Sequence, residues 1–306
     1  MAGHRPSNRI VAVLLAVAAI LAACGPGASS PAADGRLRVV TSTTVLADLV
    51  ANVGGEHVVV DPLVPKGGEV HTFDPTPSDV RRVTDAGLVM VNGLGLDGWL
   101  ADLVTGSGTE APVVALGEDL EGVEYLEGAH DEEVNPHLWL NVAYAARYAD
   151  RIAEQLRLAD PSHAADYDAG LASYRTELET LDESIRGSLA AIPSADRTVI
   201  AFHDAFPYFA EAYGLRVDGT IVDAPGQDPS AGEISDLIRV VETNGVRVIL
   251  AEAQFNDDLA RTIADETGAV VVSDLLTEST GDPPQDSYVG AMRWNVEQIV
   301  AALTGG

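Results

Sequence analysis

Three histidines of this chain stand at expected structural transitions: His71, His137 and His203. His71 falls in the loop leaving an expected strand, Val58–Val64. His137 follows an acidic loop and precedes an expected helix. His203 sits at the carboxyl end of an expected strand, Thr198–Phe202, and Asp274 holds the same place after Ala269–Ser273. Open α/β sheets bind ligands beyond the carboxyl ends of their strands. Each half of the chain thus offers two potential ligands to one cleft. Three imidazoles and one carboxylate make a closed tetrahedral site suited to Zn2+, with Zn–N distances of about 2.0–2.1 Å. The spacings are long-range, and isolated histidines also cap helices or bond locally, so both readings stand on spacing alone. His57, beside a Gly-Gly turn, and His163, at the start of a helix, read as structural or exposed. Glu69 reads as loop charge, with an extra oxygen ligand as the alternative.

The elements that would position these groups follow from the alternation of short apolar runs with helical segments. Strands are expected at Leu37–Ser42, Val58–Val64, Leu88–Asn92 and Pro112–Leu116, with helices at Val45–Val53, Pro77–Asp85, Leu96–Leu103 and Trp139–Leu158. Such alternation indicates βαβ units and a parallel sheet. A helix over Ser162–Ile192 carries Tyr167, Leu171, Tyr174, Leu178, Leu181 and Ile185 at alternating steps of four and three, one continuous apolar stripe. Its length of about 45 Å exceeds what one lobe needs and suggests a connector; a packed helix of a single domain is the alternative. The alternation restarts at Thr198 and closes with a helix over Ser287–Thr304. The expected fold class is therefore α/β, with two parallel-sheet lobes joined by one long rigid helix. The expected divisions are an N-terminal lobe at 37–160, the linking helix at 161–193 and a C-terminal lobe at 194–306.

Composition narrows the classes of function. The chain has 306 residues, 18 Lys plus Arg against 47 Asp plus Glu, and a formal charge of −29. This balance argues against nucleic acid, whose phosphates need basic surface. It fits a cationic partner or a well-solvated surface. The single cysteine, Cys24, excludes a disulfide framework and thiolate-ligated clusters. Residues 1–23 carry Arg5 and Arg9, no acid, and an apolar run from Ile10 to Ala23. They read as a secretory leader. The leader ends Leu21-Ala22-Ala23-Cys24, which resembles the lipobox of bacterial lipoproteins, cleaved before a lipidated cysteine. An ordinary leader with an incidental cysteine is the alternative. A diacylglyceryl group supplies the two acyl chains that stable anchoring needs. Residues 24–36 then read as a lipidated flexible tether, and the remainder as an extracytoplasmic body.

Four ordered stretches resemble the zinc/manganese (cluster A-I) substrate-binding lipoproteins of ABC transporters. VHTFDPTPSD (70–79) is similar to their first ligand motif, NPHLWLN (135–141) to the second and FHDAFPYFAEAYGL (202–215) to the third. AEAQFNDDLARTIADETG (251–268), followed by VVVSDLL (270–276), is similar to the run leading to the fourth. The resemblance covers essentially Leu37 to Thr304. It implies two α/β lobes bridged by a rigid helix, with His71, His137, His203 and Asp274 as metal ligands. It further implies a membrane permease with its cytoplasmic ATPase as partners, a lipid-anchored monomer, and no enzymatic activity. Asn135 departs from the pattern, which commonly has an acid before Pro-His, and this bears on a contact beside the ligand. A histidine at the third position resembles the zinc-binding subgroup, and nitrogen-rich sets suit Zn2+ better than Mn2+. The expectation is zinc, with manganese or iron as the alternative. Protons competing for three imidazoles should weaken binding between about pH 6.5 and 5. Upstream, His130, Asp131, Glu132 and Glu133 form either an accessory metal-collecting loop or a solvated acidic one.

Two other functions compete with the receptor. A zinc hydrolase would need a metal-bound water and a base, for which Asp204 and Glu252 are the nearby carboxylates; no HExxH helix is present. An adhesion protein with a purely structural metal finds no support in the residues. The chain has no P-loop lysine motif, so it is not the ATPase.

Overall fold

The computed structural model describes residues 35–128, 133–222 and 225–305. The leader, Cys24, His130, Asp131 and Glu132 lie outside the described residues.

The first lobe opens with β1 (Leu37–Thr41), α1 (Thr44–Gly54), β2 (Val58–Pro62), α2 (Pro77–Thr84), β3 (Leu88–Val91), α3 (Trp99–Ser107) and β4 (Val113–Ala115). Its four strands are parallel, in the order β2-β1-β3-β4. After a long loop come α4 (Val142–Ala159) and the long α5 (Ala164–Ala190). The second lobe repeats the pattern with β5 (Thr198–Ala201), α6 (Pro207–Tyr213), β6 (Arg216–Thr220), α7 (Ala231–Asn244), β7 (Val248–Glu252), α8 (Asp258–Thr267), β8 (Val270–Leu275) and α9 (Tyr288–Thr304). Its strand order, β6-β5-β7-β8, reproduces the first, again all parallel. In both sheets the chain reverses direction between the two central strands, and there the carboxyl ends open a crevice.

The inner strands are apolar throughout because both their faces are covered. β3, β5 and β7 are buried at every residue. The helix expected from Trp139 begins three residues later. Leu138–Leu140 forms a single 3-10 turn, and the Asn141 side chain accepts the Ala143 N–H as a helix cap. This delay places His137 at a turn, not on a helix face.

The long helix α5 spans 27 residues, about 40 Å. Its stripe of Tyr167, Tyr174, Leu178, Leu181, Ile185 and Leu189 is buried. The helix packs against α1 and α4 of the first lobe and α6 and α9 of the second. The largest apolar cluster runs through this seam and includes Val39 of β1, Tyr148 of α4, Leu181 of α5, Leu250 of β7 and Ile299 of α9. The lobes therefore share a core at the seam, while separate clusters cover their outer faces. A shared core of this kind opposes wide hinge opening, because opening would expose apolar surface at about 25 cal/mol per Å².

Candidate metal centre

His71, His137, His203 and Glu278 converge between the lobes, with one ligand atom from each within 4.8 Å of the others. Glu278 Oε1 lies 3.2 Å from His71 Nε2, 3.4 Å from His137 Nε2 and 3.2 Å from His203 Nε2. The His137 and His203 Nε2 atoms are 3.4 Å apart. Four ligands at zinc bond lengths of about 2.0–2.1 Å have tetrahedral edges of about 3.3–3.4 Å. The four measured separations thus have the lengths such a polyhedron needs.

Each ligand is held from behind. His71 lies in the loop between β2 and α2. There Val70 is fully buried, the Trp99 indole N–H donates to Val70 O, and Glu69 Oε1 accepts the His71 N–H. His137 is fixed by Asn135, whose Oδ1 accepts the His137 backbone N–H and lies 3.1 Å from Nδ1. The Asn135 amide N–H2 donates to the carbonyl and carboxylate of Asp204, beyond His203 in the other lobe. A carboxylate at 135 could not make that donation, so the amide both supports His137 and links the lobes. His203 follows β5 by two residues, with the Phe255 ring 5.1 Å away edge-on and Glu252 Oε1 2.7 Å from Nδ1.

Glu278 belongs by sequence to the second lobe but is fastened mainly to the first. Around it the Trp139 indole donates to Thr277 O, Gly67 N to Ser279 Oγ, Thr280 N to Thr44 Oγ1, and Lys66 Nζ to Gly281 O. Tyr288 adds a bond from its hydroxyl to Trp139 O and one from its backbone to Asp48. Lys66 is the chain's only lysine.

The fourth expected ligand, Asp274, is not among these groups. β8 extends to Leu275, so Asp274 lies inside the strand and not beyond its end. Its φ of 64° is left-handed, its side chain is exposed, and its carbonyl accepts the Trp294 indole N–H. The pairing of β7 with β8 also shifts between Leu250 and Glu252. The acid that reaches the cleft is Glu278, three residues past the strand. Its signal in the sequence was one acid among hydroxyl residues, Thr277-Glu278-Ser279-Thr280, all of them buried.

The remaining candidates separate from the centre. Glu133 is exposed. His57 and His163 stack at 3.9 Å and pair with Asp166 and Asp160, a structural use. Glu69 stays close by, with Oε2 buried and unpartnered. The two carboxylates considered as hydrolytic bases face other tasks: Asp204 holds Asn135, and Glu252 stands behind His203.

Charge at the site is unbalanced without a cation. Burial raises the Glu278 pKa, but hydrogen bonds from His137, His203 and His71 outweigh this and hold it well below the usual range. Burial opposes charge on His203, yet Glu252 and Glu278 push its pKa well above the ordinary value. His71 is raised likewise, burial being outweighed by Glu278. His137 is pushed down to about 3, chiefly by burial, with His203 and His71 adding to it. Glu69 is raised to about 7 by burial and by Glu278. Glu252 and Glu278 are fully enclosed and have no Lys or Arg partner among the described residues. Burial raises the Glu252 pKa as well, with His203 opposing the rise and Glu278 adding to it.

A profile of the family described as "Zinc-uptake complex component A periplasmic" (ZnuA) matches residues 39–302. The chain belongs to this family. It is a metal-binding solute receptor of ABC transport and not an enzyme. Among its relatives is the manganese-binding lipoprotein MntA of Halalkalibacterium halodurans, 30% identical over 295 residues, 95% of this chain and 97% of that one. The metal ABC transporter substrate-binding lipoprotein FimA of Streptococcus parasanguinis is 29% identical over 304 residues, 96% of this chain and 98% of that one. The periplasmic zinc binding protein TroA of Treponema pallidum superposes with a TM-score of 0.81 at 25% identity, covering 88% of this chain and 99% of that one.

Proposed function

We propose that this receptor captures a divalent transition metal with His71, His137, His203 and Glu278, and that it prefers zinc. The metal is cargo, passed to a membrane permease powered by a cytoplasmic ATPase. The observation that carries this reading is the meeting of three imidazole nitrogens and one carboxylate oxygen within 4.8 Å of one another, with Glu278 Oε1 3.2–3.4 Å from all three. Zinc stands above manganese in affinity for a given N/O site, and imidazole suits it. The charge on Glu278, held well below the usual carboxylate range by the three imidazoles, supports a cation as well.

Manganese is the second reading, and one observation favours it. Glu278 Oε2 is buried without a partner, so both its oxygens could bind and raise the coordination above four. Manganese prefers oxygen ligands, and relatives of this chain carry manganese in their names. Equal zinc and manganese offered to chelator-stripped protein, followed by elemental mass spectrometry, separates the two. One zinc per chain is expected, and one manganese would reverse the preference.

The receptor works as a monomer on the outer side of the membrane, tethered by lipid on Cys24. Relatives bear the name lipoprotein, and no helix among the described residues is long and apolar enough to cross a membrane. The body divides at 161–193 into its lobes.

A further inference from the structure

We infer that Glu252 is a positioning residue for the metal. It fixes His203 with its Nδ1 against the carboxylate and its Nε2 lone pair toward the ion. The inference rests on His203 being a ligand.

The three ligand imidazoles have different supports. The Nδ1 of His137 meets the neutral amide oxygen of Asn135 at 3.1 Å. The Nδ1 of His203 meets a carboxylate, Glu252 Oε1, at 2.7 Å, the shorter contact of the two. The ring N–H is not aligned with that oxygen, so the contact is a close ion-pair approach and not a straight hydrogen bond. Neither Glu252 oxygen has another hydrogen-bond partner, and its side chain is wholly enclosed. An isolated buried carboxylate costs several kcal/mol unless a charge or hydrogen bonds compensate it. Here the compensating group is the imidazole, and through it the ion.

Position gives the contact its rigidity. Glu252 is the last residue of β7, and His203 follows β5, the strand paired with β7. Acid and imidazole therefore leave adjacent central strands at the crevice between them. The sheet, not a loop, sets their separation. Carboxylates behind ligating histidines orient the ring and raise its basicity, and their loss typically weakens metal binding 10- to 100-fold. Glu252 also lies on the side of His203 away from Glu278, since one contacts Nδ1 and the other Nε2. It cannot reach the ion directly, so its influence passes through the ring.

The test uses the purified full chain and its Glu252→Gln, Glu252→Asp and His203→Ala variants, titrated with zinc against a competing chelator. Gln keeps the acceptor and the shape but removes the charge. Glu252→Gln is expected to weaken zinc 10- to 100-fold, and Glu252→Asp less. Nitrogen-15 NMR of the zinc-loaded wild type gives a readout independent of variant folding. It should find His203 protonated at Nδ1 and metal-bound through Nε2. Zinc binding by Glu252→Gln within twofold of wild type, while His203→Ala has lost it, would overturn the inference. So would the opposite tautomer at His203. Undiminished binding by His203→Ala would instead remove the ligand reading beneath it.

Discussion

Replacing Glu278 by Gln removes the one carboxylate on which three imidazoles converge and leaves its volume intact. Glu278 is 2% exposed, and hydrogen bonds from those imidazoles hold its carboxylate charged. Removing one partner of a buried charge pair costs about 3–5 kcal/mol. At about 1.4 kcal/mol per tenfold, that is about two to three and a half orders of magnitude in zinc affinity. Asp274→Asn is the control, because Asp274 is exposed and lies outside the cluster. A surface change of this kind shifts energies by less than about 0.5 kcal/mol, so its affinity should stay within about threefold. Competition titration against a chromophoric zinc chelator reads both variants on one scale. Near-native affinity in Glu278→Gln, or a tenfold loss in Asp274→Asn, would refute the assignment of the fourth ligand.

Proton competition should set in at higher pH than unperturbed histidines imply. His71 and His203 both have raised pKa values in the metal-free protein. Their protonation stabilises the folded metal-free state at low pH, and that contribution is lost as pH rises through the folded pKa. Zinc must displace those protons, so affinity should climb with pH and still be climbing above 6.5. His137, pushed down to about 3, has no proton to release at neutral pH. Calorimetry in buffers of different ionisation enthalpy should count at most three protons per zinc, from His71, His203 and Glu69, the last raised to about 7, and affinity flat from pH 6 to 8 would count against this. Asp48, raised to about 6 mainly by burial, stabilises the fold when protonated, and that contribution is lost as pH rises through 6. Asp48→Asn should therefore stabilise the protein at pH 8 by up to about 3 kcal/mol, with the gain vanishing near pH 4, as denaturant melts would record. Lys66→Ala removes the bond to Gly281 O across the cleft. An exposed contact of this kind is worth about 0.5–1 kcal/mol, so zinc should dissociate about two- to fivefold faster in stopped-flow chelation.

The two lobes, the long connecting helix and the three histidines of the cluster were legible from the sequence, for identifiable physical reasons. Buried parallel strands are continuous apolar runs, and the stripe of Tyr167, Tyr174, Leu178 and Leu181 survives intact in α5. The three histidines stood at structural transitions, but only His203 directly follows a strand; His71 and His137 reach the crevice on longer loops. Asp274, expected as the fourth member, lies outside the cluster because strand length and residue orientation do not follow from apolar runs alone. Asp274 adopts a left-handed φ within a strand whose pairing shifts, and neither feature has a local sequence mark. Glu278 was illegible for another reason. Contacts with Trp139, Gly67 and Thr44, distant in sequence, place its segment in the cleft. Glu252 was singled out as a base and stands instead behind a ligand, a distinction that depends on which imidazole nitrogen it faces.

Anomalous diffraction from crystals soaked with zinc and manganese together, with data at both absorption edges, tests the four-ligand centre most directly. The expected result is one zinc peak within about 2.0–2.2 Å of Nε2 of His71, His137 and His203 and of a Glu278 oxygen. A peak bonded to Asp274, or a folded protein with no metal between its lobes, would contradict the account.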